Sequence, residues 1–386
     1  MSSLRQKRRR RFRQLIALGL LPFLLEGCSY TAGRILQSKW AMHVDPVRKP
    51  TNAVATGYDD YLAIRDPNLG WPCAKEYGEG YFEDDGSVKV PFNAQAPQGD
   101  WWISLYGDSY TFGLYNTSPE DAWANQLAQL GERRVKNYGL GGYGSDQAHL
   151  RYVLNEGDRA EVVILGHMSE DVTRNLTRCV DFKTGGTLSY GLKPRYVLDA
   201  QGQLELVPIP TLTEDEFYRF LGMRSPQLIL EHETLHPGGP CGTTRLTFPF
   251  TISLLQNCGY WRFRARIGGY PEYLPFYAPD HPAQGYVISR AILESFHTRA
   301  KARGQRALIL LFPDPSHLRY QRETGIDPTH PLAEDLRERG VDVIEFSELL
   351  LEHLGERPVD AIYEHYHYTP EVDPLIAETI HAHLQK

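Results

Sequence analysis

Ser109 is the residue in this chain best placed by sequence to do covalent chemistry. It stands in Gly107-Asp108-Ser109-Tyr110-Thr111-Phe112-Gly113, directly after the apolar run Trp102 to Tyr106. A serine at a strand-to-helix turn, preceded by glycine, presents its hydroxyl at the edge where α/β proteins bind ligands. Backbone N–H groups lie nearby to hold an oxyanion. The hydroxyl becomes a nucleophile only with a base to take its proton and an acid to orient that base.

Three further segments bear on that requirement. Gly107-Asp108-Ser109 after a buried strand resembles the first block of the SGNH (GDSL-type) hydrolases, a flavodoxin-like α/β family of esterases and acyl-handling enzymes. Asn137-Tyr138-Gly139-Leu140-Gly141-Gly142-Tyr143-Gly144 is similar to the family's second block, whose glycine N–H points into the oxyanion hole; by position that role falls to Gly142. Glu364-His365-Tyr366-His367-Tyr368-Thr369-Pro370-Glu371 resembles the last block, in which an acid lies three residues before the catalytic histidine. The resemblance implies His367 as general base and Glu364 as its orienter, glutamate replacing the usual aspartate. The rival base, His365, has Ile362 rather than an acid three residues back.

The third block departs from the family. Gly166-His167-Met168-Ser169-Glu170-Asp171 puts Glu170 where an asparagine amide usually donates to the oxyanion. An ionised carboxylate has no proton to donate and repels the developing charge. Three outcomes follow: Glu170 is protonated by burial and donates, Asn175 or Ser169 supplies the missing group, or the site is crippled. The resemblance covers about residues 100 to 175 and 305 to 386.

These residues need a scaffold. Short apolar runs alternate with helical segments from Trp101 onward, the sequence form of a parallel sheet flanked by helices. Strands are predicted at Trp102 to Tyr106, Arg134 to Asn137, Glu161 to Leu165, Ala307 to Phe312 and Val341 to Phe346. Helices are predicted at Pro119 to Leu130, Ser145 to Asn155, Tyr286 to Arg303, Pro331 to Arg339 and Pro370 to Gln385. The Ser118-Pro119 and Thr369-Pro370 pairs mark helix starts. With the resemblance this gives a flavodoxin-like three-layer α/β/α domain over 99–386. A loop-rich arm at 29–98 precedes it, and an insertion of loops and short strands at about 176–285 is placed as a lid over the sheet's carboxyl edge. Within that insertion Tyr260, Trp261, Tyr270, Tyr273, Phe276 and Tyr277 read either as core or as stacking surfaces for sugar rings.

Residues 1 to 27 carry seven bases against one acid, Glu26, and the remaining 34 bases and 47 acids leave a net charge of −13. So acidic a body repels phosphate backbones, which excludes nucleic acid as a partner. The basic run and the apolar stretch Leu15 to Leu25 read as a signal peptide or membrane anchor over 1–28. Leu25-Glu26-Gly27-Cys28 resembles a lipobox with Cys28 as the lipidated residue. That places the protein in the periplasm or outer membrane as a lipoprotein, or on a membrane through its N-terminus. Cys73, Cys179, Cys241 and Cys258 then form an even set able to make two disulfides, Cys241 and Cys258 being closest in sequence. No C-x-x-C or C-x-x-H spacing marks a metal site, and the implied chemistry needs no cofactor. The expectation is a serine esterase acting on acyl esters, acetyl among them, of an envelope or extracellular polysaccharide. An acyltransferase and a non-catalytic glycan-binding lipoprotein on the same scaffold are the alternatives.

Overall fold

Alternating apolar side chains bury both faces of a parallel sheet. In the computed structural model, which describes residues 2–40, 57–70, 80–184, 191–221, 231–236, 239–243 and 245–386, the strands are β1 Ile103–Tyr106, β2 Val135–Asn137, β3 Val162–Met168, β4 Arg195–Leu198, β5 Leu204–Val207, β6 Arg306–Phe312, β7 Val343–Glu345, β8 Tyr363–Glu364 and β9 His367–Tyr368. Five of them form one sheet in the order β2-β1-β3-β6-β7, every pair parallel. On one face Tyr106, Val163, Leu165, Ile309 and Leu311 pack under the helices Ser145–Leu154, Gly285–Ala302 and His330–Glu338. On the other, Ile103, Leu105, Ile164, Leu308 and Leu310 pack under Trp123–Gly131, Ser347–Leu354 and Asp373–Leu384. The result is the expected three-layer flavodoxin-like α/β/α arrangement. The chain leaves β1 toward β2 on one side and returns to β3 on the other, and such a switch opens a crevice outside the carboxyl ends of β1 and β3.

All five predicted sheet strands are present, each within a few residues of its expected bounds. Two helix expectations need correction. The helix expected from Pro119 begins at Trp123: Ser118 Oγ is spent on a turn with Asp121, and Trp123 N–H is instead capped by the Asp373 carboxylate at 3.0 Å. The insertion is more helical than predicted. Besides the β4–β5 hairpin it holds the helices Glu214–Leu221, Phe250–Asn257 and Trp261–Gly268.

The N-terminal segment also differs in extent. One helix, Ser2–Trp40, runs through Pro22 and past Cys28, and within it Phe12–Ser38 is long and apolar enough to cross a membrane. Its far half docks on the insertion. Glu26 accepts from Phe250 N–H at 2.5 Å, Ser29 pairs with Thr251 at 2.8 Å, and Tyr30 meets the Phe250 ring at 4.9 Å. Cys28 is exposed on this helix, and Cys179, Cys241 and Cys258 keep free thiols, so the disulfides that the even set could form are absent among the described residues. Cys73 lies outside the described residues.

Candidate active site

Ser109 opens a one-turn helix, Ser109–Phe112, whose start is fixed by Asp108: its Oδ1 accepts from Tyr110 N–H at 2.8 Å. The second block lies hard against this turn. Leu140 N–H donates to Gly107 O at 3.1 Å, and Asn137 accepts from Gly139 N–H and donates to Thr111 O, both at 2.8 Å. The approach is close enough to demand glycine, since a Cβ on Gly139 would sit 2.4 Å from Phe112 N. Gly142 then takes a left-handed φ of 84°, and neither its N–H nor that of Ser109 donates to any described residue.

His367 reaches the same place from the other end of the chain. It begins β9, paired with β8 through a two-residue turn in which His365 and Tyr366 have φ of 48° and 72°, as a tight hairpin requires at both central positions. Neither is glycine, so the turn holds strain of roughly 1–3 kcal/mol per residue. It is held by Asn116, whose amide lies 2.8 to 3.1 Å from the carbonyls of Glu364, His367 and Tyr368, and by Tyr110 OH donating to Tyr366 O at 2.6 Å. Tyr115 stacks on the His367 ring at 3.9 Å, 6° from parallel. Ser109 and His367 line one notch of about 20 Å³, together with Tyr110, Tyr115, Asn116 and Trp123.

Nδ1 of His367 lies 3.0 Å from the carbonyl of His365. The structure does not bring Glu364 to this ring: its carboxylate is mostly exposed and 3.7 Å from His365 Nδ1. The rival base thus turns its own side chain to solvent and offers its backbone to His367. Burial pushes the His367 pKa down to about 4, and Arg174 and the His365 ring lower it further against the pull of the carbonyl.

Glu170 is not among the residues that line the Ser109 notch. Its carboxylate pairs with Lys183 and lies 3.4 Å from Arg174, so it stands among cations rather than as a neutral donor. Asn175 is committed to Ser145, Ser289 and Asp146 N–H. Ser169 is committed to Phe312 O and His317. Neither supplies the missing group. What sequence reading missed is Arg174: it donates to Tyr143 O at 2.8 Å and lies 3.7 Å from Asp108 and 3.6 Å from Asp171, tying the first three blocks together. Asp108 and Asp171 are buried, which raises both pKa values, and Arg174 opposes the rise. Its spacing of four from Glu170 on one helical turn was the available signal.

No family model matches the chain, and no curated protein does. Among solved structures it is similar to a protein described as lipolytic, of the G-D-S-L family, from Desulfitobacterium hafniense (TM-score 0.34, 13% identity, 73% of this chain and 99% of that one). It is likewise similar to a psychrotrophic esterase, EstA, from Pseudoalteromonas (TM-score 0.34, 11% identity, 74% and 97%). A third is a two-domain esterase active on acetylated mannans (TM-score 0.33, 11% identity, 74% and 49%).

Proposed function

We propose that this protein is a serine esterase of the SGNH type that hydrolyses small acyl esters through an acyl-serine intermediate. The observation that carries the reading is the meeting of Ser109 and His367 in one notch; the N–H groups of Ser109 and of Gly142, which follow the carboxyl ends of β1 and β2, donate to no described residue. Ser109 Oγ attacks the ester carbonyl while neutral His367 takes its proton. The oxyanion is received by the N–H groups of Ser109 and Gly142. His367 then returns the proton to the leaving alcohol, and water repeats the sequence on the acyl-enzyme.

His367 is oriented by the His365 carbonyl, which fixes the tautomer with Nδ1 protonated and leaves Nε2 as the base. Glu170 gives no third donor, and the lack of one typically costs about 10²–10³ in rate; a slow enzyme is expected. A notch of about 20 Å³ has room for about one water or a methyl group, so acetyl is favoured over longer chains. The reading is tested by initial rates with p-nitrophenyl acetate and hexanoate. Wild type should turn over the acetate at least tenfold faster, and Ser109→Ala and His367→Ala should each lose at least 10³-fold. Unchanged acetate rates in Ser109→Ala would overturn it.

The N-terminal helix serves in this proposal as a retained membrane anchor rather than a cleaved signal. Glu26 caps the helix Phe250–Asn257 of the folded body, a contact that cleavage before Cys28 would destroy. That helix also leaves Ile252 and Leu255 exposed, with Phe248 just before it, an apolar face suited to a membrane surface. Bases at the N-terminal end place that end in the cytoplasm and the body outside.

A further inference from the structure

A second cavity, of about 470 Å³, lies across the Tyr366–His367 segment from Ser109. It falls within the size range of small-molecule sites, about 300–1,000 Å³. Its lining comes from the insertion, through Trp261 and the loop Gly269–Tyr273, and from the helix Pro315–Thr324. The aromatic residues of the insertion therefore divide. Tyr260, Phe276 and Tyr277 are core, whereas Trp261 and Tyr270 line this space together with Tyr320 and Tyr366.

Its charges are matched. Lys183 is paired with Glu170, Arg262 with Glu272 at 3.3 Å, and Arg319 with Asp360; Asp314 and Glu323 add carboxylates. An anionic ligand would find each of these cations already neutralised and further negative charge beside them. Flat aromatic faces among fixed carboxylates and guanidinium groups instead suit a ligand with apolar C–H faces and a rim of hydroxyls, each hydroxyl able to donate and accept.

We infer that this cavity binds a neutral saccharide, the sugar chain that carries the ester presented to Ser109. The inference rests on the esterase reading for its position in catalysis, though not for binding itself. Tyr366 lies on the rim one residue from His367, so a sugar held there places a pendant ester within reach of the notch. Lys183 and its partner Glu170 form part of the sugar site.

The test uses the full chain in detergent as Ser109→Ala, titrated by calorimetry with neutral tetrasaccharides of glucose, mannose, xylose and N-acetylglucosamine, and with tetragalacturonate as the anionic comparison. At least one neutral sugar should bind more tightly than tetragalacturonate. Tyr270→Ala and Tyr320→Ala, which line it from different elements, should each weaken it about tenfold, roughly the worth of one aromatic platform. Each variant should keep the wild-type thermal midpoint within about 2 °C and, with Ser109 intact, turn over p-nitrophenyl acetate within twofold. Binding of no neutral sugar, tighter binding of tetragalacturonate, or indifference to both substitutions would overturn the inference. Sugar binding without any acetate turnover in wild type would sink the esterase reading and leave the saccharide site standing.

Discussion

In the proposed mechanism neutral His367 takes the Ser109 proton, so the rate is expected to climb with pH as this ring loses its charge. Burial between Tyr115 and the rest of the notch sets that loss at about 4 rather than 6.5. The folded ring releases its proton more readily than a free one, and the acid limb moves down in pH accordingly. A kcat/KM profile for acetate ester hydrolysis should reach half its plateau near pH 4; a midpoint at 6.5 would mean that the ring is solvated during catalysis. A base this weak also pulls less strongly on the serine proton, a second reason to expect modest turnover. Glu364 is mostly exposed and turned to His365, so Glu364→Ala should cost less than tenfold in kcat. Loss of a true triad acid costs about 10⁴, and a drop of that size would return the orienting role to the carboxylate. The motif spacing put both residues in one hairpin. It could not show which acceptor the turn brings to Nδ1, because that depends on positive φ values at His365 and Tyr366, two residues that do not advertise such a conformation as Asn-Gly would.

At the scale of elements, the sheet was legible because strands buried on both faces, such as β3 and β6, are mostly apolar along their length, whereas β2, Val135-Lys136-Asn137, was marked by the glycine loop after it. Ser118-Pro119 misled because a capping hydroxyl can equally close a turn, and the carboxylate that caps Trp123 lies 250 residues away. The insertion was illegible for a related reason: its helices are eight residues long, too short to show a periodic stripe and stable only through tertiary contacts. The helix Ser2–Trp40 extends well beyond the apolar stretch Leu15 to Leu25, because helix-compatible residues continue to Trp40. Its docking on Phe250–Asn257 makes a specific claim. Protein recovered from membranes should have an intact mass that includes residues 1–27, and Cys28→Ser should remain in the membrane fraction after carbonate washing. A mature N-terminus at Cys28 bearing lipid, with release on Cys28→Ser, would replace the anchor with a lipoprotein.

Across the whole molecule, one crevice edge gathers segments from residues 107 to 113, 137 to 144, 166 to 174 and 363 to 368, and the topology explains why. Ser109, Gly142 and Glu170 follow the carboxyl ends of β1, β2 and β3, so a parallel sheet delivers them to one side without further instruction. His367 needs the separate β8–β9 hairpin, clamped by Asn116 and Tyr110. The sequence blocks therefore predicted which segments meet, whereas Arg174, Tyr115 and Asn116, which hold them there, became visible only in three dimensions. The central claim is that Ser109 is a working nucleophile despite the missing third donor. It is tested most directly by exposing the membrane-bound full-length protein to a fluorophosphonate probe and mapping the adduct by peptide mass. The account predicts one adduct, on Ser109, lost in Ser109→Ala and slowed at least 10²-fold in His367→Ala; no adduct on Ser109 in wild-type protein that also fails to hydrolyse p-nitrophenyl acetate would contradict it.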